Sequence, residues 1–128
     1  DGGSDYEATK TTSVFYAYHD EADSDTSLSY QAGSDLAQST SAQRLTGGTG
    51  NVADESASGT LHLFNPSSTT FVKHFISRSS TYNHSNYVND WYVGGYCNVT
   101  AAIDGVQFSM SSGNIDSGTI KLYGIKDS

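Results

Sequence analysis

Apolar and polar side chains alternate with a period of two along most of this chain, the spacing of half-buried β-strands. In residues 12–19 the alternation places Val14, Tyr16 and Tyr18 on one strand face, and Phe15, Ala17 and His19 on the other. Six further segments are predicted as strands: 28–32, 60–64, 70–77, 91–100, 106–110 and 119–125. No helical periodicity of comparable strength is present. Seven short strands therefore predict an all-β fold, an antiparallel β-sandwich or jelly roll.

The 128 residues fit a single domain, which we place over residues 1–128. Hydrophobic residues make up only 35% of the chain, but 12% are aromatic, which argues against a disordered protein. One cysteine excludes an internal disulfide framework and a multi-cysteine zinc site. The apolar runs are too short for a transmembrane helix, so no membrane insertion is expected.

The charge is strongly acidic and unevenly distributed. Fourteen Asp and Glu face six Lys and Arg, a formal net charge of −8. An acidic chain is unsuited to the phosphate backbone, so no nucleic-acid partner is expected. Ten of the acids lie in residues 1–55, and we predict that most of them lie on exposed loops: Asp1, Asp5, Glu7, Asp20, Glu21, Asp23, Asp25, Asp35, Asp54 and Glu55.

Two connections stand out between the predicted strands. Residues 33–59 read as a long loop with a weak helical turn over 35–44, and long loops in compact domains are often functional. Residues 79–91 read as a polar loop rich in aromatic and amide side chains, suited to a sugar or protein partner. Its candidate receptor contacts are Tyr82, Asn83, His84, Asn86, Tyr87, Asn89, Asp90 and Trp91. The alternative is a structural loop in which Trp91 faces the core.

A cation site is one interpretation of the acidic turn after the first strand. Asp20, Asp23 and Asp25 supply the oxygen ligands that a weakly bound calcium ion would use, although the EF-hand pattern is missing. The alternative is a solvated hairpin tip. His62 and His74 lie in neighbouring predicted strands and supply at most half a metal site, since zinc needs a third ligand. Apart from calcium, no cofactor is expected.

The sequence does not predict an enzyme. There is no nucleophile elbow, and the carboxylates of the second half lie in turn-like contexts. Cys97 lies in an apolar strand and is expected to be an unreactive thiol. Residues 70–77 carry apolar side chains on both faces, as expected for a strand inside a sandwich or packed against another subunit.

Three segments, residues 1–30, 59–75 and 93–125, resemble virion structural proteins of tailed bacteriophages of the marine and cyanobacterial type. The ending SGNIDSGTIKLYGI is the most specific part and resembles the terminal strand of a tail-fibre-like C-terminal β-sandwich domain. The resemblance implies a structural or adhesive role in the virion. It also implies homo-oligomers, commonly trimers, that contact other virion proteins, and a domain whose first strands precede Asp1.

Three functions remain in consideration. The first is a virion component, displayed as a fibre, appendage or decoration domain, that contacts a glycan or protein on the host surface. The second is a non-catalytic carbohydrate-binding β-sandwich module. The third is a small hydrolase, which would require clustered carboxylates or imidazoles.

Overall fold

A computed structural model describes residues 5–126 and shows one antiparallel sheet of five strands. The strands are β1 (Lys10–Asp20), β2 (Thr26–Tyr30), β3 (Ser56–Leu63), β4 (Lys73–Tyr82) and β5 (Tyr87–Cys97). Their order across the sheet is β2-β1-β5-β4-β3, and residues 5–126 contain no helix. The predicted all-β fold is confirmed. The sandwich or jelly roll stays a prediction, as do the strands expected before Asp1, which lie outside the described residues.

The alternation along the strands gives the sheet a covered face and an open face. Val14 of β1 lies opposite Val93 of β5, and both are buried on the covered face. Phe75 and Trp91 complete the buried core, and the half-buried Leu61 packs against it. The predicted division of residues 12–19 into two faces agrees with this arrangement, because the even-numbered residues point to the covered side.

The long β2–β3 connection, residues 31–55, packs on the covered face. Within residues 5–126 there is no second sheet. The Ser79 hydroxyl donates to the Leu45 carbonyl at 2.7 Å, and the hydroxyls of Thr46 and Thr81 are hydrogen-bonded. The Arg44 guanidinium lies 5.0 Å from the centre of the Trp91 ring, a cation–π distance. The helical turn predicted within this loop is not present there.

The prediction that residues 79–91 form a loop is wrong. β4 continues to Tyr82 and β5 begins at Tyr87, so only residues 83–86 connect them. Small polar residues give this segment the composition of a loop, although Ser77, Ser79 and Thr81 all lie buried on the covered face. Their hydroxyls have partners on the neighbouring strand and the covering loop, which removes the usual cost of burying them.

Lys73, the first residue of β4, is completely buried. Its ammonium group donates three hydrogen bonds, to the carbonyls of Val99 at 3.1 Å, Thr100 at 2.8 Å and Ala101 at 2.6 Å. Three acceptors satisfy the three donors of a lysine, which is how its charge is accommodated in the interior. The contact fixes the path of the chain immediately after β5.

Residues 106–110 and 119–125, which were predicted as strands, are not strands in this structure. The Ile103 amide donates a hydrogen bond to the Pro66 carbonyl at 2.8 Å. From residue 104 to residue 126 the backbone is irregular and exposed. No helix among residues 5–126 has the length and apolar character needed to cross a bilayer.

Candidate functional site

The open face of the sheet exposes large apolar side chains on four of its strands. Five of these side chains have 42% to 71% of their surface exposed: Phe15 on β1, Leu28 and Tyr30 on β2, Ile76 on β4 and Val88 on β5. Exposed apolar side chains grouped on one face, with polar residues among them, are typical of an interaction site, and here the Arg78–Asp90 pair lies between Ile76 and Val88. The predicted two-sided apolar pattern of residues 70–77 is consistent with this face, since Ile76 lies here and Phe75 lies in the core.

One row of residues crosses the open face from strand to strand. Tyr30, Phe15, Tyr92, Arg78 and Thr60 lie directly opposite one another in the register of the five strands. The rings of Phe15 and Tyr92 are stacked, with centroids 4.7 Å apart and planes 6° from parallel. The Arg78 guanidinium lies 5.1 Å from the centroid of Tyr92 on the side of β4.

A carboxylate holds Arg78 in this position. Nε and Nη2 of Arg78 donate to the two carboxylate oxygens of Asp90, at 3.1 Å and 2.6 Å, which is the two-point geometry of a strong pair. The Arg78 guanidinium lowers the pKa of Asp90, whereas the hydrogen bond to Asp90 raises the pKa of Tyr92. The cluster is therefore charge-paired near neutral pH, with Asp90 ionised and Tyr92 protonated.

The stacking limits what this surface can bind. Because β5 lies between β1 and β4, Phe15 and Arg78 occupy opposite sides of the Tyr92 ring. A sugar that stacks on an aromatic ring needs a free ring face, which Tyr92 does not offer. The adjoining pocket is open to solvent and lined by Ser58, Gly59, Thr60, Arg78, Ser80 and Asp90.

The β4–β5 turn, residues 83–86, brings together part of the predicted receptor-contact set. Oδ1 of Asn83 accepts hydrogen bonds from the amides of Ser85 at 2.8 Å and Tyr87 at 3.4 Å. Asn86 adopts a positive φ of 61°, which asparagine tolerates better than most residues, and its Oδ1 accepts from the Tyr82 hydroxyl. The turn is thus held in one conformation by its own side chains.

His84 links the β4–β5 turn to the β2–β3 connection, residues 31–55, by hydrogen bonds. Its amide and its Nδ1 both donate to the Gly48 carbonyl, each at 3.1 Å. Because a carbonyl oxygen only accepts, Nδ1 carries the proton in this contact. His84 and Asn86 are exposed, and Tyr82, Asn83 and Tyr87 are half-buried. The register places Tyr82 on the open face and Tyr87 on the covered face, so this set is divided between the two sides of the sheet.

The other three predicted contact residues lie elsewhere. Asn89 and Trp91 are buried on the covered face, at 7% and 4% exposure, with the Trp91 ring stacked on Tyr16. Asp90 points to the open face, where it pairs with Arg78. Receptor contact stays a prediction for the set, and the burial of Asn89 and Trp91 argues against their taking part.

The carboxylates of the acidic β1–β2 turn each have a separate protein partner. Asp20 accepts from the amides of Ser24 at 2.8 Å and Asp25 at 3.0 Å, and the Ser24 hydroxyl is the main cause of its lowered pKa. Asp23 contacts Nε2 of His19 at 3.1 Å, and Asp25 accepts from the Tyr18 hydroxyl at the same distance. Within residues 5–126 no group of three or more His, Cys, Asp or Glu is arranged to hold a metal ion. Calcium binding stays a prediction.

The two turns meet at one end of the sheet and make that end acidic. The Glu21 amide donates to the Asn86 carbonyl at 3.1 Å. Partial burial, followed by the negative charges of Glu21, Asp54 and Glu55, raises the pKa of Tyr82, which places these acids around the β4–β5 turn. Nine of the ten acids in the first part of the chain lie within the described residues, and none of them is buried. Six of the nine are exposed and three, Asp20, Asp35 and Glu55, are half-buried, so the prediction that most of them are exposed is confirmed. Asp1 lies outside the described residues.

His62 and His74 lie on the open face of the neighbouring strands β3 and β4, but within residues 5–126 no third ligand joins them in a metal-binding group. His62 lies opposite Ile76 in the register, and the ring of His74 lies 6.1 Å from that of Tyr96. Cys97 is half-buried, and its burial raises the pKa of its thiol, which disfavours the reactive thiolate.

Sequence reasoning missed the Arg78–Tyr92–Phe15 row and the buried Lys73. The second face of residues 12–19, with Phe15 on it, was the available signal for the row. Comparison of the chain with protein families, with curated proteins and with solved structures found no match. The fold and surfaces therefore define a single-sheet all-β domain with an exposed apolar face.

Proposed function

We propose that this chain is a non-catalytic structural domain of a tailed-phage virion, displayed as a fibre, appendage or decoration domain. In this proposal it assembles with further copies of itself through the open face of the sheet. The resemblance of residues 1–30, 59–75 and 93–125 to phage structural proteins supports the virion assignment. The observation that carries self-assembly is the amount of surface that one chain exposes.

The chain has a solvent-accessible surface of 8823 Å². A compact folded monomer of the same mass is expected to expose about 6,600 Å². The excess is about 2,200 Å², and a standard specific interface buries roughly 800 Å² on each partner. Part of this excess lies on residues 104–126, all of which are exposed, and part on the open face, so one chain has surface available for more than one neighbour, which a closed ring of subunits requires.

The distribution of side chains supports the same arrangement. Apolar side chains such as Leu28 and Ile76 lie on the open face, while the acidic turns lie at one end of the sheet. Burying the face between copies leaves the acidic end in solvent, where its charge opposes aggregation. The exposed turn side chains His84 and Asn86 are then available to a host surface molecule.

Sedimentation of the purified protein tests self-assembly. Leu28→Asp and Ile76→Asp each place a carboxylate on the open face, at positions 71% and 52% exposed, where folding of the single chain tolerates it. We expect both variants to shift the protein towards the monomer, because an unpaired charge within an interface is costly. Val52→Asp, at a loop position 61% exposed, is the matched control and should leave the oligomer unchanged. A wild-type protein that stays monomeric at all concentrations would contradict the proposal.

Mass spectrometry and immunogold electron microscopy of purified phage particles test the virion assignment. The expected result is a stoichiometric protein that labels one position on intact particles. Absence from purified particles, together with glycan binding by the isolated monomer, would instead favour a carbohydrate-binding module.

A further inference from the structure

The C-terminal segment has the side-chain pattern of a strand without a partner in its own chain. Residues 119–125, which we name the terminal segment, contain four highly exposed apolar side chains: Ile120 at 66%, Leu122 at 97%, Tyr123 at 75% and Ile125 at 89%. In an extended conformation Ile120 and Leu122 share one face, and Tyr123 and Ile125 share the other. Such a segment is stable only when another strand or surface covers it.

The sheet has an edge suited to such a segment. β3 is an outer strand, and its sequence SASGTLHL contains neither a charged residue nor a proline, the usual means of protecting an edge. Leu61 and Leu63 of β3 remain half-buried at the border of the core. The other outer strand, β2, has only five residues and follows the acidic turn. The eight residues of β3 extend over about 26 Å, and the seven of the terminal segment over about 23 Å.

The residues that precede the terminal segment are anchored beside the sheet, but within residues 5–126 the segment itself pairs with no strand of its own chain. Lys73 holds the carbonyls of residues 99–101, and Ile103 donates to Pro66 in the β3–β4 connection. Beyond these contacts, and within the described part of the chain, residues 106–126 make no backbone hydrogen bond to the sheet. Each chain therefore carries one unpaired strand-like segment and one unprotected edge.

We propose that residues 119–125 of one copy pair as an additional strand with the outer edge of β3 in a second copy. This inference rests on the proposed self-assembly and adds a second contact to that of the open face. Ile120 and Leu122 extend the covered face beside Leu61 and Leu63, and backbone hydrogen bonds satisfy the edge. Because donor and acceptor are different surfaces, the contact is head-to-tail, and repeated around an axis it closes a ring such as a trimer.

Intermolecular cross-linking tests the contact. One preparation carries Leu122→Cys and a second carries Leu61→Cys, both with Cys97→Ser, and the two are mixed and treated with a short bis-maleimide. We expect a covalent heterodimer, which a segment folded back on its own chain cannot produce because neither chain contains both thiols. The control replaces Leu61→Cys with Leu28→Cys on the opposite edge strand, which should give no heterodimer.

The outcomes separate this contact from self-assembly in general. Deleting residues 119–128 should also weaken the oligomer, because it removes one of the two proposed contacts, with urea unfolding reporting whether the shortened chain is folded. If cross-linking fails between positions 61 and 122 while wild-type protein remains oligomeric, the strand exchange is wrong and the open-face assembly stands. Cross-linking to position 28 would overturn the choice of β3. A protein that is monomeric throughout would overturn both proposals.

Discussion

Gly94 and Gly95 are neighbours in β5 that face opposite sides of the sheet, and replacing each by alanine separates packing from backbone effects. A Cβ atom at Gly95 would lie 2.6 Å from the Thr11 carbonyl oxygen and 2.6 Å from Cγ2 of Thr12. A Cβ atom at Gly94 would meet no atom within 4 Å. Neither residue has a positive φ, so alanine is compatible with both backbone conformations.

The two substitutions should have opposite effects on the free energy of unfolding. Gly94→Ala should stabilise the fold by about 0.4–1 kcal/mol, because alanine reduces the conformational freedom of the unfolded chain. Gly95→Ala gains the same stabilisation from the unfolded chain, but its Cβ atom pushes β1 away from β5, which costs about 1–3 kcal/mol in a packed sheet. We therefore expect a difference of about 1–3 kcal/mol between two variants that differ by one position.

Urea unfolding followed by the fluorescence of Trp91, the only tryptophan, measures this difference. With a slope of about 1–3 kcal/mol per M, the midpoints of the two variants should differ by roughly 1 M. Measurement at several protein concentrations separates folding from association, because Gly94 lies on the open face. Equal shifts of both midpoints in the same direction would refute the assignment of covered and open faces.

Three further substitutions test other contacts. Lys73→Met should cost about 1–3 kcal/mol in urea unfolding and accelerate hydrogen exchange in residues 99–103, whereas Lys126→Met, at an exposed position, should stay within about 0.5 kcal/mol. Val14→Ala should cost about 2 kcal/mol in urea unfolding, since it removes two methyl groups from a fully buried site. Asp90→Asn should cost under about 1 kcal/mol at neutral pH, because Arg78 is 64% exposed. The folded-state pKa of Asp90 is lowered, so this contribution is complete above the unfolded pKa of about 3.9 and is lost as the pH falls through the lower, folded-state pKa. Unfolding curves of wild type and variant should converge below that folded-state pKa.

The alternation of apolar and polar residues predicted a strand correctly where large apolar side chains by themselves distinguish the buried face from the exposed one. Residues 12–19 were assigned correctly because large apolar residues alternate there without interruption, and β1 extends only slightly further at each end. Ser77, Ser79 and Thr81 concealed the second half of β4, since their burial depends on acceptors such as the Leu45 carbonyl, 34 residues distant along the chain. Local composition carries no information about such a partner.

The candidate site was harder to predict for the same reason. The turn residues Tyr82 to Tyr87 were identified because amide and aromatic side chains cluster in sequence. The alignment of Phe15, Tyr92 and Arg78 depends on the register between β1, β5 and β4. The patterns at residues 106–110 and 119–125 predicted strands, but a strand requires a neighbour, and the pattern does not specify which strand or which chain provides it.

The central pairing of β1 with β5 has a consequence for synthesis of the chain. Lys10 pairs with Cys97, so the first hairpin cannot join the sheet until nearly the whole domain has been made. At ribosomal rates, roughly 3–13 s separate the completion of β2 from that of β5. During that interval the exposed aromatic residues of β1 can pair with other nascent chains. The local β4–β5 hairpin, which closes through residues 83–86, provides the template on which β1 then docks. Slow maturation and sensitivity to crowding on polysomes are therefore expected of this strand order.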